Sequence, residues 1–213
     1  MIKLYKFRSL KTCEELCRLK EIVDTNKFWC SKFSEMNDAM EGVYYAADTN
    51  IIKNIYHEKN EYKICSFSGE LAFENPCMWG YYAGGFQGVA IEIEIEAHSS
   101  NIHKVNYEKD LKQSSEVIEI LTTKLCVWKH ENEYRFIDKT NEAKNYIGKI
   151  SKIFFANPYG DVTNSDDIFK DNQHIRKYLD YMRELVNCAV DKEIECCYIE
   201  VINGKVVQRG INE

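Results

Sequence analysis

The sequence predicts a single α+β domain, with a mostly antiparallel mixed sheet flanked by helices and a long C-terminal helix followed by a hairpin. Three observations predict it. Apolar residues recur with period two in several short runs, most clearly over 88–96, where Val89, Ile91, Ile93 and Ile95 alternate with Ala90, Glu92, Glu94 and Glu96. Helix-period stripes occur as well, but helices and strands do not alternate regularly enough for a doubly wound sheet. The chain then ends in two strand-like runs joined by Asn203-Gly204, a dipeptide suited to a tight hairpin turn. With 213 residues and no repeat, linker or composition break, residues 1–213 form one domain. A chain of this length buries about 70% of its unfolded surface, enough for an unaided core.

The elements follow in order. Residues 2–7 alternate as a first strand, and Ser9 can cap a helix whose stripe (Leu10, Cys13, Leu16, Cys17, Leu19, Ile22, Val23) ends near Val23. A short strand at 28–30 leads into the polar loop 34–42, and a short helix spans 49–60. Residues 62–67 are a strand ending in the loop SGELAFENP. Pro76 can open a helix through Tyr82, broken at Gly84-Gly85. Beyond the 88–96 strand, with one buried and one wet or functional face, residues 103–107 form another strand. Ser114 or Ser115 caps a helix to about Trp128. Residues 134–137 and 150–156 are strands, 157–161 a turn, and 165–189 the longest helix. The hairpin pairs 197–202 with 205–208.

Composition excludes several classes. Two prolines and ten glycines rule out collagen-like and low-complexity chains. No run of about 18 apolar residues could span a membrane, and MIKLYKFRSLK lacks the apolar core of a secretion signal, so the expected location is the cytoplasm. A net charge of −6 argues against a broad nucleic-acid face while leaving room for a small basic pocket holding a phosphate. The nine cysteines contain no C-x-x-C pair and read as reduced thiols filling the core. Five scattered histidines predict no metal centre.

Three clusters can carry chemistry. The loop 33–42 presents Asn37, Asp38 and Glu41. The segment PCMWGYYAGGFQG sets Trp79, Tyr81 and Tyr82 beside glycines that let a backbone approach a ligand, and aromatic faces can stack on a planar ring. In WKHENEYRF, Glu131 and Glu133, two apart on an extended segment, point the same way with Arg135 in line, which would keep them ionised. Two such carboxylates can hold a sugar hydroxyl, a general-base water or a metal. Each cluster also has a plainer reading. The aromatics can close a core edge, Asn37-Asp38 can be turn chemistry, the glutamates with Arg135 can be a surface ion-pair ladder, and the row Glu92, Glu94, Glu96 reads as a solvated face.

The order LYKFRSL, FSEMNDAMEG, CSFS, PCMWGYYAGGFQGVAIEIE and KLCVWKHENEYRF resembles the bacterial domain-of-unknown-function family 2971. The resemblance extends to about Gly160, and MW-x-x-Y-A and W-x-x-E-x-E-Y-R are its most specific parts. Relatives usually read N-D-P-F-E in the first loop, where this chain has Ala39 and Met40. They commonly carry histidines where this chain has Tyr81 and Phe86, so if either were catalytic in relatives, this chain would need another group or be altered in activity. The resemblance implies this pattern of site residues and no settled reaction.

A first strand bearing Tyr5 and Arg8, a central strand preceded by aromatics, and a Glu-x-Glu opening a later strand are also similar to ADP-ribosyltransferases that modify nucleic acids. That resemblance implies NAD as substrate, with Glu133 or Glu131 as the catalytic carboxylate and Arg8 or Arg135 on the diphosphate. Trp79 or Tyr82 would stack on nicotinamide, with Trp128 completing the ligand-binding set. The acceptor would be a nucleic acid or a protein, and the role that of a toxin or anti-phage effector. Two other classes stay open. One is a nuclease or phosphoesterase using Asp38, Glu41, Glu131 and Glu133 around magnesium. The other is a non-catalytic module that binds a nucleotide or another small molecule in a cleft.

Overall fold

The computed structural model describes residues 1–36, 49–96, 99–110, 114–156, 158 and 172–210; Asn37, Asp38, Glu41 and nearly all of the 157–161 turn lie outside them. Strand β1 (Ile2–Ser9) is the middle of the sheet because its two faces have different apolar tasks. Leu4 enters the core on one side, and Tyr5 and Phe7 enter a second core on the other. Helix α1 (Cys13–Thr25) follows. Its cap is Thr12 rather than Ser9: the Thr12 hydroxyl accepts from the Glu15 N–H, and the Glu15 carboxylate accepts from the Thr12 N–H in return. Asn26 ends it in the left-handed region, at φ 52°.

Strand β2 (Phe28–Trp29) pairs with β10 (Lys144–Asn145) in a small two-stranded sheet, and the chain then crosses to the main sheet as β3 (Ser31–Lys32). Helix α2 (Thr49–Lys59) and strand β4 (Lys63–Ser68) agree with expectation. The loop after β4 contains a short helix, α3 (Glu70–Phe73), ahead of α4 (Pro76–Tyr82), with Pro76 in its first turn and Asn75 as its cap. Three consecutive left-handed residues, Gly84, Gly85 and Phe86, then turn the chain into β5 (Gly88–Ile95).

Strand β5 corrects the expectation of a wet face. Val89, Ile91, Ile93 and Ile95 pack under α1 and the C-terminal helix, but Ala90 belongs to the second core. Glu92 is 3% exposed, accepting from Lys3 at 2.9 Å, Tyr5 at 3.1 Å and Ser151 at 2.8 Å. Glu94 is half-buried and Glu96 exposed, so the wet side survives only towards the strand's end, and the buried Glu92 must be paired.

The expected strand at 103–107 is two, β6 (Ile102–Lys104) and β7 (Asn106–Glu108), bent at Val105, whose N–H donates to the Glu133 carbonyl. The helix expected to run to Trp128 is short. Helix α5 (Val117–Leu121) begins at Glu116, with Ser114 two residues before it, and stops at Thr122-Thr123. Both threonine hydroxyls bond back to carbonyls of the preceding turn, Ile118 at 2.7 Å and Glu119 at 2.7 Å, competing with the helical ladder. The chain continues as β8 (Thr123–Leu125), pairs with β7, and makes a 3-10 turn over Cys126–Glu131. Strands β9 (Glu133–Asp138) and β11 (Lys149–Ala156), helix α6 (Gln173–Val190) and the hairpin β12 (Glu195–Ile202) and β13 (Lys205–Gly210) complete the fold. Asn203 and Gly204 both have positive φ, as the tight turn requires.

Among the described residues the main sheet runs β13-β12-β11-β5-β1-β4-β9-β6, with β3 also on β4. Within this sheet the described parallel pair is β11 and β12, joined through α6; β7 and β8, outside it, are also parallel. Helices α1 and α6 cover one face; α3 and α4 cover the other, over Phe7, Phe73, Trp79 and Phe154. A third cluster packs α2 and α5 against Ile64 and Ile137. Core filling accounts for Cys30, Cys65 and Cys197, whereas Cys13, Cys17, Cys77 and Cys126 are exposed; all nine thiols are free. No described helix is long and apolar enough to cross a membrane.

Gly88 marks how closely these layers meet. A Cβ there would lie 2.2 Å from the Arg8 carbonyl oxygen and 2.7 Å from that of Ala83, both backbone atoms, so Gly88→Ala is expected to destabilise by about 3 kcal/mol. Gly80→Ala, with nothing within 4 Å and a helical site, is expected to stabilise by about 0.5–1 kcal/mol. Urea unfolding of the two variants measures both.

Candidate active-site cleft

Strand β1 is bound to β5 along its whole length but to β4 at one position, Tyr5 opposite Ser68. Farther along, β3 takes the free edge of β4 opposite Ile64 and Lys63. β1 and β3 therefore fork over β4, and a cavity of about 330 Å3 opens in the fork. Lys6 and Arg8 reach it from β1, Cys65, Ser66 and Ser68 from β4, Tyr82 from the end of α4, and Lys124, Glu131 and Glu133 from the β8–β9 region. Side-chain alternation sends Lys6 and Arg8 to the α1 side of the sheet and Glu133, opposite Ser68, to the other; the fork joins the two sides.

The two glutamates converge by an unexpected route. They are not on one extended segment: Glu131 ends the 3-10 turn, Asn132 is left-handed at φ 41°, and Glu133 begins β9. Both carboxylates nevertheless meet the Lys124 ammonium, Glu131 at 2.6 Å and Glu133 at 3.4 Å. Glu133 also accepts a forked pair from Arg135, Nε at 2.9 Å and Nη2 at 3.1 Å, and Glu131 accepts from the Tyr82 hydroxyl. Arg135 has 0% exposure, and its Nη1 donates to the Leu121 carbonyl. Burial alone would push the Glu133 carboxyl up, but Arg135 and Lys124 outweigh it and hold it at about 2. The surface-ladder reading is thus replaced by a buried network. Burial pushes the Lys6 and Arg8 values down from their ordinary range, and Lys6 donates to the Ser66 carbonyl at 2.5 Å.

The aromatic residues divide. Trp79 has 0% exposure, donates its indole N–H to the Phe73 carbonyl at 2.9 Å and meets Phe7 edge-on at 5.2 Å, so its ring belongs to the core and offers no face to a ligand. Tyr5 is also buried, stacked on Phe73 at 4.6 Å with its hydroxyl on Glu92. Tyr82 is 43% exposed and joins the cleft to a shallow aromatic recess of about 380 Å3 containing Tyr81, Trp128 and His130. A larger recess of about 690 Å3 on the α1 side shares Arg8, Trp29 and Tyr82 with the cleft.

The structure thus brings Tyr5, Arg8, Tyr82, Glu131 and Glu133 to one cleft, buries Arg135 behind Glu133 and sets Trp128 in the adjoining recess. Sequence reasoning missed Lys124, Lys6 and the two serines. Ser66 and Ser68 left a signal, being polar residues inside an apolar strand run; Lys124 left none. Among the described residues no group of three or more His, Cys, Asp or Glu could hold a metal ion. No family model, curated protein or solved structure matches the chain.

The depressed value of Glu133 predicts an acid limit to stability. Its contribution is fully present above the ordinary carboxylate value of 4.5 and is lost as pH falls towards about 2, an effect on the order of 3 kcal/mol. Glu133→Gln is expected to be less stable at neutral pH and to show a shallower loss between those two values, measured by denaturant unfolding across pH.

Proposed function

We propose that the chain is an ADP-ribosyltransferase-like enzyme that breaks the N-glycosidic bond of NAD in the forked cleft. The observation that carries the reading is the meeting of two buried carboxylates, bridged by Lys124, with the cations of β1 in one cavity. Three adjacent strands supply the parts that the reaction needs. Arg8 and Lys6 on β1 offer charge to a diphosphate, Ser66 and Ser68 on β4 offer hydroxyls, and Glu133 at the head of β9 offers a fixed anion. Tyr82 offers the half-exposed ring for nicotinamide that Trp79 does not.

Breaking the bond builds positive charge on the ribose ring as neutral nicotinamide leaves. A carboxylate already ionised and held by Arg135 stabilises that charge without reorganising, which assigns the role to Glu133. Glu131, held by Tyr82 and Lys124, takes the acceptor's proton as its nucleophilic atom attacks the anomeric carbon. The acceptor is a nucleic acid or a protein, and NAD as substrate fits a cytoplasmic site. The likeness to family 2971 belongs to the same proposal, as does a toxin or anti-phage role.

Nicotinamide release from NAD, with and without cell lysate or nucleic acid, tests this reading. Glu133→Gln should lower release by about 10²–10³-fold, Glu131→Gln should retain NAD hydrolysis but lose transfer, and Arg8→Ala should raise KM for NAD. Wild-type release no greater than that of Glu133→Gln would end the reading. Ligand-dependent thermal stabilisation without turnover would point instead to a binding module, and cleavage of nucleic acid that needs Mg²⁺ and vanishes with EDTA to a nuclease. Poor growth on expression, relieved by Glu133→Gln, would mark a toxin.

A further inference from the structure

The cleft contains a nucleophile that the proposed reaction does not use. Cys65 lies on β4 in the fork, and Cys30 immediately precedes β3. Strands β3 and β4 pair Ser31 with Ile64 and Lys32 with Lys63, and one further step of that antiparallel register sets Cys30 opposite Cys65. Directly opposed residues of such a ladder have Cα atoms about 4.5–5.5 Å apart, within the span of about 4.4–6.8 Å that a disulfide bridges. Both cysteines belong to one core cluster, the Cys30 thiol lies 3.6 Å from the Phe28 carbonyl, and Lys6 and Arg8 line the same cleft as Cys65. Both thiols are buried, and the cleft that reaches Cys65 is wide enough for a water-sized molecule.

We propose that Cys65 is a peroxide-modification site at the floor of the cleft, with Cys30 as its resolving thiol. Two cations in the cleft beside Cys65 and the Phe28 carbonyl beside Cys30 favour the thiolate at Cys65 and the thiol at Cys30. The values move accordingly: the Cys30 hydrogen bond draws Cys65 down against its burial, helped by Lys6 and Arg8, and Cys30 is pushed up. The Cys65 thiolate attacks one oxygen of hydrogen peroxide; the O–O bond breaks, and hydroxide leaves and is protonated to water. The Cys30 sulfur then attacks the resulting sulfenic acid, forming the S–S bond as the Cys30 proton departs with the hydroxyl as a second water. Two thiols are oxidised and one peroxide is reduced to two waters. The site stands independently of the transferase reading, because its readout is a covalent bond rather than turnover.

The test is peptide mapping after treatment of the reduced protein with one equivalent of hydrogen peroxide and alkylation of remaining thiols. It is run on wild type and on a variant with the exposed Cys13, Cys17, Cys77 and Cys126 replaced by serine. The expected product in both is a peptide pair linked through Cys30 and Cys65, with the loss of two hydrogens. Cys30→Ser should stop at a Cys65 sulfenic acid that dimedone traps, and Cys65→Ser should leave Cys30 alkylatable. Oxidation confined to the exposed cysteines, with Cys30 and Cys65 still alkylatable after unfolding, would overturn the proposal. So would trapping of Cys30 by dimedone in a folded Cys65→Ser protein. Should either serine variant fail to melt cooperatively, the linked peptide in the other two proteins decides.

Discussion

Arg135 sets the terms for the cleft. A guanidinium with no exposed surface must be surrounded by acceptors, because an unpaired buried charge costs several kcal/mol. Its fork grips Glu133, and its remaining arm takes the Leu121 carbonyl at the end of α5, where a helix leaves its last carbonyls unclaimed. One side chain thereby ties the cleft carboxylate to the end of a helix 14 residues earlier. From Glu133 the network passes to Lys124, Glu131 and the Tyr82 hydroxyl, running from the core to a half-exposed ring. The break in α5 is what permits this. A helix continuing to Trp128 would engage the Leu121 carbonyl within its own ladder and carry Lys124 around the helical turn. Thr122 and Thr123 end it through their own hydroxyls, and the Leu121 carbonyl becomes available to Arg135.

The fork in the sheet is the second constraint. β1 is committed to β5, where Gly88 brings the backbones closer than any Cβ would allow, and follows that neighbour away from β4 after Tyr5. The exposed edge of β4 is then shared between β1 and β3, and polar groups that a continuous sheet would exclude find places between them. Lys6 illustrates the balance. Burial lowers its value, and the Ser66 carbonyl at 2.5 Å and the Phe67 ring at 5.4 Å stand in for the water it loses.

The legible parts of the fold were those governed by local periodicity. Residues 88–96, the α1 stripe and the Asn203-Gly204 turn each obey a rule that a few neighbouring residues satisfy, and the structure agrees there to within three residues. The illegible parts depend on partners distant in sequence. The wet face failed at Glu92 because Lys3 and Tyr5 of β1 and Ser151 of β11, strands not adjacent to it in the chain, bond to its carboxylate. Glu131 and Glu133 do meet, but not by the route the sequence suggested. Period two would have aligned them on a strand, whereas a left-handed Asn132 separates them and a shared lysine reunites them. Trp79 and Tyr82 could not be told apart by type; only the packing of α4 on β1 decides which ring is core and which faces the cleft.

Tyr82 then carries more than its ring. It borders the charged cleft, the aromatic recess beside Trp128 and the broader recess along α1. Its hydroxyl is held by Glu131, which is held in turn by Lys124 and so is coupled to Glu133. A group that displaced the Tyr82 ring from either recess would withdraw a donor from a carboxylate 4% exposed, and that loss is costly wherever water cannot take the donor's place. Occupancy of the recesses and the state of the carboxylate pair are therefore linked through one phenol. A tryptophan at this position would supply a larger stacking face, but its N–H could not occupy the place of the tyrosine hydroxyl, and the charged network would end at Lys124.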